Sequence, residues 1–158
     1  MRAALATSFH AVGRGGEAGL LTWNSLSWNF DEENLSGSWA QQKVFDVLDV
    51  NFFADATAYD IDEFHCLACY CIVGGGSRFL APNNSDKEWV FPNLASGSAT
   101  SILTAFLKEC AVAVGELHVD VTVTDLRAGS LCEIVYAVGG GLEVAIARGG
   151  WKGKGESL

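Results

Sequence analysis

The chain has 158 residues, of which 49% are hydrophobic and 18% charged, with nine Phe and five Trp. That composition excludes a disordered chain, and a domain of this length buries roughly 70% of the surface its unfolded form exposes. Ten Lys and Arg against 19 Asp and Glu leave a net charge of −9, which argues against nucleic-acid binding because phosphate contacts need clustered cations. No apolar run reaches the roughly 20 residues of a membrane helix, so no membrane span is expected.

Taken in chain order, the first 16 residues carry Arg2 and Arg14 and no acid, a composition shared with transit peptides. Leu20 to Phe30 reads as a strand or hairpin. Trp23 and Trp28 within it are five positions apart, which on a straight strand sends them to opposite faces. The capping-box spacing of Ser38 and Gln41 predicts a helix over Ser38 to Leu48, with Val44, Val47 and Leu48 on its apolar stripe. Phe52 to Ile61 and Phe64 to Val73 read as strands, the second running into Gly74-Gly75-Gly76. Ala81 to Lys87, with Pro82, Asn83, Asn84 and Ser85, reads as a loop.

Gly97 and Ser98 open a stronger helix. Its face is Ile102, Leu103, Phe106, Leu107, Cys110, Ala113, Val114 and Leu117, and Gly115 ends it. In His118 to Asp125, Val119, Val121 and Val123 alternate with Asp120, Thr122 and Thr124, the pattern of a half-buried strand. Leu131 to Val138 and Leu142 to Ala147 flank Gly139-Gly140-Gly141, a hairpin signal. Tyr70 to Gly76 also resembles Tyr136 to Gly141, which allows a tandem (β)αβββ repeat with halves 20–81 and 88–148 and a flexible tail over 149–158. The expected fold is therefore α+β in a single domain: an antiparallel sheet of six or more strands with two helices packed on it.

His65-Cys66-Leu67-Ala68-Cys69-Tyr70-Cys71 is the natural place to look for a metal. Read as a strand, it sets His65 and Cys69 about 13 Å apart at roughly 3.3 Å per residue, too far to share one ion. The expectation is reduced cysteines, at least two of Cys66, Cys69 and Cys71 being buried, with no metal and no cofactor. The odd count of five cysteines points to a reducing compartment, read as cytoplasmic. Asn34-Leu35-Ser36 and Asn83-Asn84-Ser85 match the glycosylation acceptor pattern, but no signal-peptide pattern accompanies them. Neither triple-glycine segment fits a nucleotide-binding fingerprint, and no catalytic constellation is evident.

The charge distribution is the most informative feature. Asp31 to Glu63 contains nine acids against Lys43 alone, and a concentrated acidic field speeds encounter with a cationic partner. The favoured reading is a non-enzymatic protein-binding domain, of inhibitor, immunity or adaptor type, that engages a basic partner. Its contact residues would be Asp31, Glu32, Glu33, Asp60, Asp62 and Glu63, with Trp23, Trp28 and Trp151 as aromatic anchors. Trp151 lies between cations in a glycine-rich tail, so docking on a second copy would make a homo-oligomer. Two alternatives stay open: a self-assembling structural subunit, and a small-molecule binder or enzyme with its pocket between two repeat halves.

Overall fold

The computed structural model describes residues 1–40, 47–59, 61–75, 89–95, 97–116, 120–137 and 139–149. Its first helix, α1 (Arg2–His10), is rich in alanine and buries Ala3, Ala4, Ala6, Thr7 and Ser8. The Thr7 and Ser8 hydroxyls donate back to the Ala3 and Ala4 carbonyls at 2.9 and 2.8 Å, so two polar side chains enter the interior satisfied. Small side chains allow close approach, and α1 packs against three other helices. The acid-free N-terminal segment is thus a central helix.

A short helix, α2 (Gly15–Ala18), follows, then a 3-10 turn at Trp23–Ser25. One antiparallel sheet comes next, in the order β1 (Leu26–Asn29), β2 (Asn34–Ala40) and β3 (Val47–Phe53). Its register pairs Trp28 with Leu35 and Leu35 with Phe52, while Gly37 faces both Leu26 and Val50. These residues form the inner face, and Val50 and Phe52 are fully buried. The outer face carries a polar ladder in which Ser36 Oγ donates to Asn51 Oδ1 at 2.9 Å and Ser38 Oγ to Asp49 Oδ1 at 3.0 Å.

The rest is helical: α3 (Glu63–Tyr70), a 3-10 turn at Pro92–Leu94, α4 (Ala99–Ala113), α5 (Val123–Cys132) and α6 (Gly141–Arg148). Leu94, Ala99 and Leu103 join Ala4, Ala18, Leu21, Val90 and Val123 in one core cluster.

The expected sheet of six or more strands is therefore wrong: the described residues hold three strands and six α-helices. Phe64 to Val73, Leu131 to Val138 and Leu142 to Ala147 are short apolar runs, for which strand and helix periods are hard to tell apart. Apart from Val138, which lies outside the described residues, all three are helical or π-turned here. Of the strand expected over His118 to Asp125, 118 and 119 lie outside the described residues, and the rest is no strand: the Thr122 hydroxyl accepts from Asp125 N and, with the Asp125 carboxylate, forms a capping box opening α5. Ser38 to Leu48 begins in β2 and ends in β3, with 41–46 outside the described residues. The strand expected over Phe52 to Ile61 stops at Phe53. The helix expected from Gly97 is present as α4, but its face is only partly covered: Leu103 is buried, whereas Cys110 and Val114 are exposed.

Among the described residues two matching strand-rich halves are not seen, since from residue 97 onward the described elements are helices. The two similar segments share a local conformation. Both segments end a helix with a π-turn, at Cys71–Gly75 after α3 and at Glu133–Ala137 after α5. The triple-glycine segment at 139–141 supplies left-handed backbone at Gly139 (φ 68°) and Gly141 (φ 72°), where α6 starts. The loop expected at Ala81 to Lys87 and the tail 150–158 lie outside the described residues.

Candidate functional site

The tightest charged constellation joins residues far apart in sequence. After α1 the chain turns through Val12, a buried β-branched residue held at φ 52°, a backbone conformation such side chains rarely adopt. It delivers Arg14 to the start of α2. There the Arg14 backbone N–H donates to Glu17 Oε2 at 2.7 Å, and its guanidinium Nη1 donates to Glu17 Oε1 at 2.8 Å. The Glu17 side chain is buried, whereas Arg14 keeps part of its surface in solvent.

Gly15 sets the distance to α5. A Cβ there would lie 2.6 Å from Val123 Cγ1, so only glycine allows this approach. Arg127 is four residues beyond Val123 and shares its helix face, within electrostatic reach of Arg14. Burial, followed by the neighbouring Arg14 charge, pulls the Arg127 pKa below its ordinary value, while Glu17 opposes the shift. Arg127 Nη2 also donates to the Gly149 carbonyl at 2.6 Å, which ties α5 to the end of α6. Arg14 and Arg127 thus lie within electrostatic reach of one another and of the Glu17 carboxylate. Such a pair presents planar forks of N–H donors that match phosphate or carboxylate oxygens.

The residues expected to contact a partner separate. Asp31, Glu32 and Glu33 are exposed on the turn between β1 and β2, where Asn29 Oδ1 accepts from the backbone N–H of Asp31 and Glu32. Asp60 lies outside the described residues. Asp62 and Glu63, by contrast, are buried, at 5% and 1% exposure, and cannot belong to one continuous acidic surface. Asp62 caps α3, accepting from His65 N at 2.8 Å and from Asp55 N at 2.9 Å. Glu63 faces Thr7 of α1. The pattern of acids in sequence is the same for a cap, a core residue and a surface charge, so it does not separate the three roles.

Trp23 and Trp28 do not diverge. The 3-10 turn before β1 breaks the strand period, and both line a groove of about 630 Å³ with Leu26, Leu35, Phe64 and Leu67. Trp28 sits edge-on to Phe64, with ring centroids 5.3 Å apart. Trp151 lies outside the described residues.

None of the five cysteines is in a disulfide. Only Cys66 of the central three is buried; Cys71 is half-buried and Cys69 exposed, contrary to expectation. Burial pushes the Cys66 and Cys71 thiols up. Because the segment is a helix, His65 and Cys69 stand one turn apart rather than far apart along a strand. Among the described residues no helix is long and apolar enough to cross a membrane. No group of three or more His, Cys, Asp or Glu is placed to hold a metal ion among them either.

Reading the sequence missed Arg14 and Arg127 because neither lies in a charge cluster. The available signal was Arg14-Gly15-Gly16-Glu17: an ion pair at helical spacing beside glycines in an otherwise apolar stretch. Compared with known proteins, the chain matches no family model and no curated sequence.

Proposed function

We propose that the chain binds a ligand carrying a phosphate or carboxylate group at the Arg14–Arg127 pair. The observation that carries this reading is the close approach of Gly15 to Val123, which brings the partly exposed Arg14 and its Glu17 partner up to the helix that carries Arg127. Glu17 accepts from Arg14. The strained Val12 and the close-packed Gly15 hold Arg14 near the helix that carries Arg127. Arg14, being partly exposed, is the contact an incoming anion meets first.

The test is thermal unfolding of the full chain with inorganic phosphate, acetate and a short duplex oligonucleotide in parallel. Phosphate is expected to raise Tm in a saturable way, and Arg14→Gln to abolish the rise while circular dichroism stays native. The acetate and oligonucleotide arms distinguish a carboxylate or phosphodiester source from free phosphate. A rise of equal size in Arg14→Gln, or none with any anion, overturns the reading.

A second reading is favoured by the exposed turn. Asp31, Glu32 and Glu33 follow Phe30, which is 83% exposed and edge-on to Trp28. An aromatic anchor beside three acids suits a basic protein partner, and Trp23 and Trp28 extend the apolar part of that surface. A second copy of the chain, docking through the cations around Trp151, would give the homo-oligomer.

A further inference from the structure

We infer that the groove between α3 and the sheet binds an elongated amphipathic cation, a small molecule whose apolar body ends in an ammonium or similar head. One wall is a helix stripe: Phe64, Leu67, Ala68 and Cys71 stand at the i, i+3, i+4 and i+7 positions of α3 and the turn that continues it. The other wall is the inner face of the sheet, where Leu26 and Trp28 alternate along β1 and Leu35 of β2 pairs with Trp28. Leu67 belongs to the core, and Trp23, Leu26, Leu35 and Phe64 pack against it, so the walls stand without a ligand. With only a methyl group at Ala68 in the middle of the stripe, a groove of about 630 Å³ stays open.

The aromatic rings set the direction. Trp28 is edge-on to Phe64 at 5.3 Å and to Phe30 at 6.4 Å between centroids. Phe64 is half-buried, Trp28 is 44% exposed and Phe30 is 83% exposed, so the rings run from the interior out to solvent. Phe30 opens the turn that carries Asp31, Glu32 and Glu33. Only the Asn29–Asn34 pair separates that turn from the Trp28–Leu35 pair in the groove wall. Among the described residues no Lys or Arg forms an ion pair with any of the three acids.

Charge and size select the occupant. An apolar body leaves water for the groove, while a cationic head gains the carboxylates and the aromatic faces of Trp28 and Phe30. An anionic head meets repulsion at the same place. The volume lies within the roughly 300–1,000 Å³ of small-molecule sites, and ten residues line it, against roughly 20–30 per side in a standard protein interface. The site is separate from the arginine pair. It shares the acidic turn with the basic-partner reading but does not depend on it, because a partner can dock on the turn with the groove closed.

Titration of the full chain with decyltrimethylammonium, 1-decanol and decanoate, read by tryptophan emission and calorimetry, tests the inference. The three probes share one apolar body and differ in head charge. Decyltrimethylammonium is expected to saturate at one equivalent and to bind roughly tenfold more tightly than decanol, with decanoate weakest. Ala68→Gln, at an exposed helix position, should abolish binding of all three with circular dichroism unchanged. Replacing Asp31, Glu32 and Glu33 by Asn, Gln and Gln should bring the cation down to the affinity of decanol. No saturable binding, equal affinity for the three heads, or binding that survives in folded Ala68→Gln overturns the inference. If it fails while the acidic-turn variant still slows association with a basic protein, the partner reading stands without it.

Discussion

The Thr7 hydroxyl has one hydrogen, yet both the Ala3 carbonyl and the Glu63 carboxyl lie within its hydrogen-bonding reach. Both contacts are made at once only if Glu63 is protonated and donates to Thr7 Oγ1 while Thr7 donates to Ala3. Burial agrees: it is the main cause raising the Glu63 pKa from 4.5 to about 8, the Asp62 charge adds to it, and the Thr7 contact opposes. Oε2 has no hydrogen-bond partner among the described residues, a further cost to the charged form. Between pH 4.5 and about 8 the folded chain therefore holds a proton that the unfolded chain releases. Stability from this group is complete below that window and declines as pH rises through it, by at most about 1.4 kcal/mol per pH unit. Glu63→Gln, which can still donate to Thr7, is expected to flatten the pH dependence and to be more stable than the parent at pH 8. Urea midpoints across pH 5 to 8 check this; parallel curves for the two proteins would contradict it.

At the level of elements, the caps explain where helices begin. Asp62→Ala removes acceptors from His65 N and Asp55 N and is expected to cost about 1–2 kcal/mol by chemical unfolding, whereas Asp31→Ala on the exposed turn should change stability by less than about 0.5 kcal/mol. Gly15→Ala pushes a methyl group into Val123 and should destabilise by about 1–3 kcal/mol while separating the two arginines. Legibility varied with element length. Helix α4 has fifteen residues and was plain from its stripe. The eight residues of α3 were not, because Phe64, Cys66 and Leu67 among other apolar residues fit either period. What tips α3 to a helix is Asp62 as its cap and the packing of Cys66 and Leu67 into the core, the second a tertiary effect no local pattern records. The same holds for Leu142 to Ala147, where Ala145 is the only residue of the helix that is buried.

For the whole molecule, net charge concealed the site. An excess of nine negative charges describes the surface at long range, but Arg14 and Arg127 are brought near one another by the contact of Gly15 with Val123, and no run of residues announces it. The acidic segment was legible as charge and not as surface, since Asp62 and Glu63 turned out to serve the interior. What remains outside is Asp31, Glu32 and Glu33, and replacing all three by Asn or Gln should slow association with a basic partner mainly at low salt. An unchanged rate at low salt would remove that second reading. Arg148 shows that a cation need not bind a ligand: its Nε donates to the His10 carbonyl at 2.8 Å and its Nη2 to the Asn51 carbonyl at 2.9 Å, joining α6 to α1 and β3.

Calorimetric titration of inorganic phosphate into the parent chain, Arg127→Lys and the Arg14→Gln/Arg127→Gln pair tests the arginine site most directly. Lysine keeps the charge but loses the planar fork, so Arg127→Lys should bind roughly tenfold more weakly, and the double variant should show no binding heat. Equal affinity in the parent chain and a folded double variant would contradict the account.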